Sequence, residues 1–210
     1  MKKIIVLICI SILFVISVGF SEANKSVSED LVYLNAFEST VLSKEEISSF
    51  ETVSVDIPFT GKSFIGFKEA LAFKESRGDY QVINKLGYLG KFQFGKSTLK
   101  RFKIYNSKTF LNSPELQEDA FLALCSVNKW ILRKDIRRSV GKRINGVLIT
   151  ESGILAAAHL SGAGNVKKYL RSNGEFTFQD AFGSSIEYYM KKFAGYDTSF
   201  VEANQHPELN

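Results

Sequence analysis

Apolar residues return at intervals of three and four from Phe64 through Phe67 to Leu71, and the next position in that series is Glu75. A stripe with this spacing lies along one face of an α-helix and has to be buried against the rest of the chain. Ser63 before it is a good N-cap and Gly78 after it a good stop. The pattern therefore predicts a helix whose buried stripe terminates in a carboxyl group. An ionised carboxylate in such a place is costly unless it is paired. Desolvation by apolar neighbours and the partial negative charge of the helix C-terminus both favour its proton-carrying form. An acid of that kind suits the protonation of a leaving oxygen, which glycosidic bond cleavage requires. The plainer alternative is an exposed Glu at a helix end, paired with Lys74 or Arg77.

Other helices are announced by their caps. Ser113-Pro114-Glu115 places a Ser at the N-cap, Pro at the first helical position and an acid in the first turn, and predicts a helix to about residue 137. Thr150-Glu151 opens another that runs through Ala156, Ala157, Ala158 and His159 until Gly162 and Gly164 break it. A restart is expected at Asn165, capping residues 166–170. Shorter helices are predicted over residues 96–102 and 184–193. Residues 79–94 carry Gly87, Gly90 and several aromatics in a polar setting, which predicts irregular structure or a short hairpin. The sum is an α+β, predominantly α, fold class.

The chain has 210 residues, 45% of them hydrophobic, enough for one globular domain with a real core. A basic start at Lys2 and Lys3, an apolar run over residues 4–20 and the small Ala23 read as a secretory signal peptide spanning 1–23. An uncleaved membrane anchor is the competing reading, because the run is close to bilayer-spanning length. Cys9 sits inside that run, and no Cys follows near Ala23, which disfavours a lipoprotein. Cleavage would leave Cys125 as the only thiol, so the core alone would hold the domain. Residues 24–60, rich in Ser and Glu, read as an N-terminal arm or linker, 61–196 as the folded domain, and 197–210 as a polar tail. Loss of Lys2, Lys3 and Glu22 would lower the formal charge from +5 to +4. A mildly basic exported chain suits an anionic wall or membrane surface, although an ordinary solvated surface carries the same charge. The basic stretch from Arg133 to Arg138 reads as an exposed helix end, since no aromatics interleave it and export argues against a nucleic-acid partner. His159 and His206 are far apart and Cys125 is single, so no metal site is expected. Gly87 and Gly90 lack the Lys-Ser/Thr ending of a phosphate-cradling loop, and no cofactor is expected.

The string Glu75-Ser76-Arg77-Gly78-Asp79-Tyr80, followed by Asn84 and then Gly87-Tyr88-Leu89-Gly90-Lys91-Phe92-Gln93, resembles the active-site signature of lytic transglycosylases and phage-type lysozymes in the lysozyme-like superfamily. A third segment, from Ala157 through His159, Leu160 and Gly162 to Asn165, is similar to that superfamily's Ala-Tyr-Asn-x-Gly-like helix. The three motifs stand in the family's order within residues 63–195. The resemblance implies a lysozyme-like fold with a small β or irregular element after the catalytic helix. It also implies an exported, periplasmic or extracellular enzyme that breaks the MurNAc–GlcNAc β-1,4 bond of peptidoglycan, with Glu75 as general acid/base. By the same resemblance Ser76 supports Glu75, Gln93 lines the sugar cleft and Gly90 permits close backbone approach. Tyr88 and Phe92 become candidates for stacking on sugar rings, and the turn at Gly162 becomes part of the cleft wall.

Two departures bear on mechanism. His159 and Leu160 stand where many relatives have Tyr and Asn, which leaves a hydrogen bond from His159 to substrate or to Glu75 open. No second carboxylate is fixed by the motifs; Asp79 is the nearest in sequence, although Gly78-Asp79 also reads as turn chemistry. A single acid leans towards the transglycosylase outcome, in which the substrate's own N-acetyl group assists and an anhydro ring closes, whereas two carboxyl groups would give a hydrolase. The alternative is a non-catalytic peptidoglycan-binding protein on the same scaffold. Either way the expected partner is the glycan strand, met by a monomer without a transmembrane segment once the leader is removed.

Overall fold

Side-chain caps set most of the helix starts in this chain. The computed structural model describes residues 60–209, so the leader read at 1–23 and the arm at 24–60, apart from its last residue, lie outside the described residues. Helix α1 (Phe64–Ser76) begins where Ser63 Oγ accepts from the Gly66 N–H, and it ends with Arg77 in the left-handed conformation. Gly78 N–H then reaches back to the Ala72 carbonyl, satisfying one of the last orphan acceptors. Helices α2 (Lys96–Arg101) and α3 (Ser107–Leu111) follow; Asn106 caps α3, which the sequence pattern does not predict. The long α4 (Pro114–Ser139) starts on Ser113, whose side chain accepts from Leu116 N–H, with Pro114 at its first position. Thr150 caps α5 (Glu151–Ser161), α6 (Ala163–Arg171) follows directly, and Ser185 caps α7 (Ile186–Lys192).

The described residues are mostly helical with a small β part, an α+β, predominantly α, arrangement. The regular sheet lies at residues 143–148, where the sequence pattern marks no strand. Strands β1 (Arg143–Ile144) and β2 (Val147–Leu148) pair antiparallel, with Ile144 opposite Val147. Asn145 and Gly146 between them have φ of 48° and 78°, the left-handed pair that a two-residue hairpin turn needs. Residues 79–94 form isolated bridges only, Ile83 with Leu89 and Leu89 with Phe94. The restart after α5 also differs. Gly162 (φ 78°, ψ 150°) ends α5 and caps α6 at once. Asn165 sits inside the first turn of α6, where its Nδ2 donates to the Ser161 carbonyl instead of capping.

Helix α5 is the centre of the packing. Ser152 through Ala158 are all buried, and the helix packs against α4, α6 and α7. A helix apolar all round is stable only inside a shell of other elements. Its contact with α7 is close because Gly153 has no side chain: a Cβ there would meet the Met190 carbonyl oxygen at 2.6 Å. Phe67, Phe92 and Phe121 fill the core beneath α1, with the Phe92 and Phe121 rings stacked 4.3 Å apart. Each such ring contributes about 2–3 kcal/mol of transfer free energy. The segment beyond Tyr196 is docked on this core. Val201 is buried, Ser126 Oγ donates to the Glu202 carbonyl, and Thr198 Oγ1 donates to Glu151. Among the described residues no helix is long and apolar enough to cross a membrane.

Candidate functional site

The end of α1 is held by the loop that follows it. Leu89 and Phe94 exchange two backbone hydrogen bonds of 3.0 and 2.8 Å, and Gln93 N–H donates to Gly90 O at 3.0 Å, closing a tight turn over residues 90–93. Two successive carbonyls at its tip are pinned by two helices. Ser76 Oγ, from α1, donates to Lys91 O at 2.7 Å, and His159 Nε2, from α5, lies 2.9 Å from Phe92 O. A carbonyl only accepts, so Nε2 carries the hydrogen in this contact; Nδ1 is buried without a partner. Turn, α1 and α5 thus form one unit around Glu75.

Polar groups anchor that turn from below. Lys91 is 4% exposed, with its ammonium 2.7 Å from Glu118 Oε1, 2.8 Å from Glu69 Oε1 and 3.1 Å from the Tyr80 hydroxyl. Burial alone would pull the ammonium below the usual lysine value, but the Glu118, Glu69 and Tyr80 hydrogen bonds outweigh it and hold it above. Gln117 is fully buried. Its Oε1 accepts from Lys91 N–H at 2.9 Å, and its Nε2 donates to the Tyr80 and Phe110 carbonyls at 3.0 Å each.

Above the turn lies a cleft of about 360 Å³. Glu75, Tyr88, Gln93 and His159, four residues singled out from the sequence, line it together, and so does Leu160. Asn84 and Leu86 extend that wall, and residues 178–182 supply the remainder, with Asp180 and Phe182 among them. Phe182 is 64% exposed, and Leu86 and Tyr88 are exposed as well, so the rim offers apolar surface to a ligand. Glu75 is half-buried. Its Oε1 accepts a 2.7 Å hydrogen bond from the hydroxyl of Tyr189, a residue only 2% exposed. Burial first, and the neighbouring Glu75 carboxylate next, raise the Tyr189 phenol above its usual value, so it remains a donor. Among the described residues no Lys or Arg forms an ion pair with Glu75. Lys74 lies instead over the Tyr188 ring, 5.9 Å from its centroid.

Other expected site residues lie outside the cleft. Ser76 supports α1 through Lys91 O and does not line the opening. Phe92 is 0% exposed and stacked on Phe121, so it is a core residue and cannot stack on a ligand. Gly90 is buried against Gln117, and Gly162 only joins α5 to α6. Asp79 Oδ1 accepts from Gln81 N–H at 2.7 Å, which is turn chemistry. Two groups at this site are not singled out by the sequence pattern: Tyr189, which holds Glu75, and Asp180, which lines the cleft. Among the described residues no group of three or more His, Cys, Asp or Glu is placed to hold a metal ion. The arrangement offers two carboxyl groups, Glu75 and Asp180, with amide side chains and exposed aromatic surface, a set suited to proton transfer on a bound polar ligand with flat apolar faces. Comparison with protein-family models, with curated proteins and with solved structures returned no match.

Proposed function

We propose that this chain cleaves the glycan strands of peptidoglycan at the MurNAc–GlcNAc β-1,4 bond, with Glu75 as general acid/base. The observation that carries the reading is the Glu75 carboxyl in the cleft, held on Oε1 by Tyr189 and unpaired with any described cation. One oxygen is fixed, and the other can hand its proton to a glycosidic oxygen. Sugar rings have apolar faces and polar edges. Tyr88 and Phe182 meet the first need, and Gln93, Asn84 and Gln179 the second. The motifs beginning at Glu75 and Ala157, which resemble those of the lysozyme-like superfamily, support the same reading and a fold of that type. A leader at 1–23 fits export to the periplasm or cell exterior, where such a substrate lies.

Replacing Glu75 with Gln keeps the shape and removes the transferable proton. Wild-type protein is expected to release soluble muropeptides from purified peptidoglycan, and Glu75→Gln to do so about a thousandfold more slowly with an unchanged near-UV circular dichroism spectrum. Undiminished clearing by the variant would remove Glu75 from the reaction. A binding protein without activity is the second reading, favoured by the commitment of His159 to Phe92 O rather than to a ligand. It predicts that wild type pellets with the wall and releases nothing.

A further inference from the structure

The cleft contains a second carboxyl group, and turn chemistry in the sequence conceals it. We propose that Asp180 is the base of this site, taking a proton from the attacking water, so that the glycan is hydrolysed rather than closed into an anhydro ring. The proposal rests on the Glu75 reading above. Asp180 lines the same cleft as Glu75, whereas Asp79 does not. Its Oδ1 accepts from the Phe182 and Ser184 N–H groups at 2.9 and 2.7 Å, and its own N–H donates to Ser184 O at 3.0 Å. These bonds fix the carboxylate on one oxygen and leave Oδ2 for a ligand or water. Among the described residues no cation pairs with it. The turn explains an acceptor at this position but not a charge, because Asn would make the same two bonds. Asp180 also acts on the buried Tyr189 phenol, adding to the larger effects of burial and Glu75, so both carboxyl groups bear on one hydroxyl.

The chemistry then follows a two-carboxyl course. Glu75 gives its proton to the glycosidic oxygen as the bond to the anomeric carbon breaks, and the electron pair stays with that oxygen. The water oxygen bonds to the anomeric carbon, and its proton passes to Asp180 Oδ2. One water is consumed, and the products are a free hydroxyl on the departing sugar and a hemiacetal end on the other. Exchange with solvent returns the proton to Glu75 and removes it from Asp180.

Digestion of purified peptidoglycan in 18O-labelled water tests this on the unaltered protein: reducing ends carrying one labelled oxygen are expected, and anhydro ends would overturn the proposal. Asp180→Asn keeps the acceptor that holds the turn and should lower kcat about a hundredfold or more with KM changed by less than about threefold. Asp180→Ala should regain turnover in added azide, an anion that attacks without needing a base and leaves a glycosyl azide. A purely structural role would not respond to azide. Asp180→Asn turning over at the wild-type rate, or lost activity that azide does not restore, rejects Asp180. In either case an inactive Glu75→Gln beside an active wild type leaves the Glu75 reading standing. A wild type that releases no fragments defeats both.

Discussion

The proposed reaction needs the Glu75 carboxyl held still, and Tyr189 is the side chain that holds it. The bond joins residues 114 positions apart, and the donor is almost entirely enclosed, so no water can replace it without a rearrangement. Tyr189→Phe removes only the hydroxyl. A hydrogen bond to an ionisable group is worth about 1.5–3 kcal/mol, so kcat/KM on peptidoglycan is expected to fall about ten- to a hundredfold. An unchanged kcat/KM would mean that Glu75 is positioned by α1 alone. Cys125 presents the opposite case, a reactive residue type made inert by its place. Burial pushes its thiol up to about 12, so almost no thiolate exists at neutral pH and no nucleophile is available there.

Among the elements, the turn over residues 90–93 tolerates the least change, because it is fixed by α1, α4 and α5 at once. Gly90 has φ of 71°, and a Cβ on it would stand 2.1 Å from Gln117 Oε1, the oxygen that accepts from Lys91 N–H. Gly78 also has positive φ, but nothing lies within 4 Å of a Cβ there. Gly90→Ala is therefore expected to destabilise by about 3 kcal/mol, combining backbone strain with displacement of a buried amide, and Gly78→Ala by about 1 kcal/mol. Equal losses in urea unfolding would mean that Gln117 yields freely. The caps behind α1, α4 and α5 were legible because Ser63, Ser113-Pro114 and Thr150 act within one turn of chain. The five-residue α3 was not, since Ser107 to Leu111 is too short to show a three-four repeat. Asn145-Gly146 suits a hairpin turn, but two-residue strands show no alternation, so the pattern marks no strand on either side of it.

At the scale of the whole molecule, legibility ended where distant segments meet. Glu75, Tyr88, Gln93 and His159 fall within three local motifs, so sequence alone could group them. Tyr189 reaches Glu75 through the packing of α7 on α5 across Gly153, Asp180 lines the cleft from the segment before α7, and no local pattern carries either placement. The same long-range docking predicts how the fold responds to acid. Asp135 on α4 is 1% exposed and accepts from Arg171 of α6 at 3.0 Å and from Arg138 at 2.6 Å. Burial alone would raise its carboxyl, but the two guanidinium groups outweigh burial and hold it below the usual range. Glu118 is lowered for the same reason, its burial outweighed by hydrogen bonds from Lys68, Lys91 and Tyr80. A group with a lower value folded than unfolded binds fewer protons in the native state. Its contribution is therefore complete above the unfolded value of about 4 and is lost as pH falls through the lower folded value. Asp135→Asn should cost about 2 kcal/mol at neutral pH, and its difference from wild type should shrink towards zero below the folded value as wild type itself weakens. Urea unfolding at steps from about pH 7 to about pH 2.5 measures that difference; a gap that stayed constant over the whole range would mean that Asp135 joins α4 to α6 by packing, without its charge.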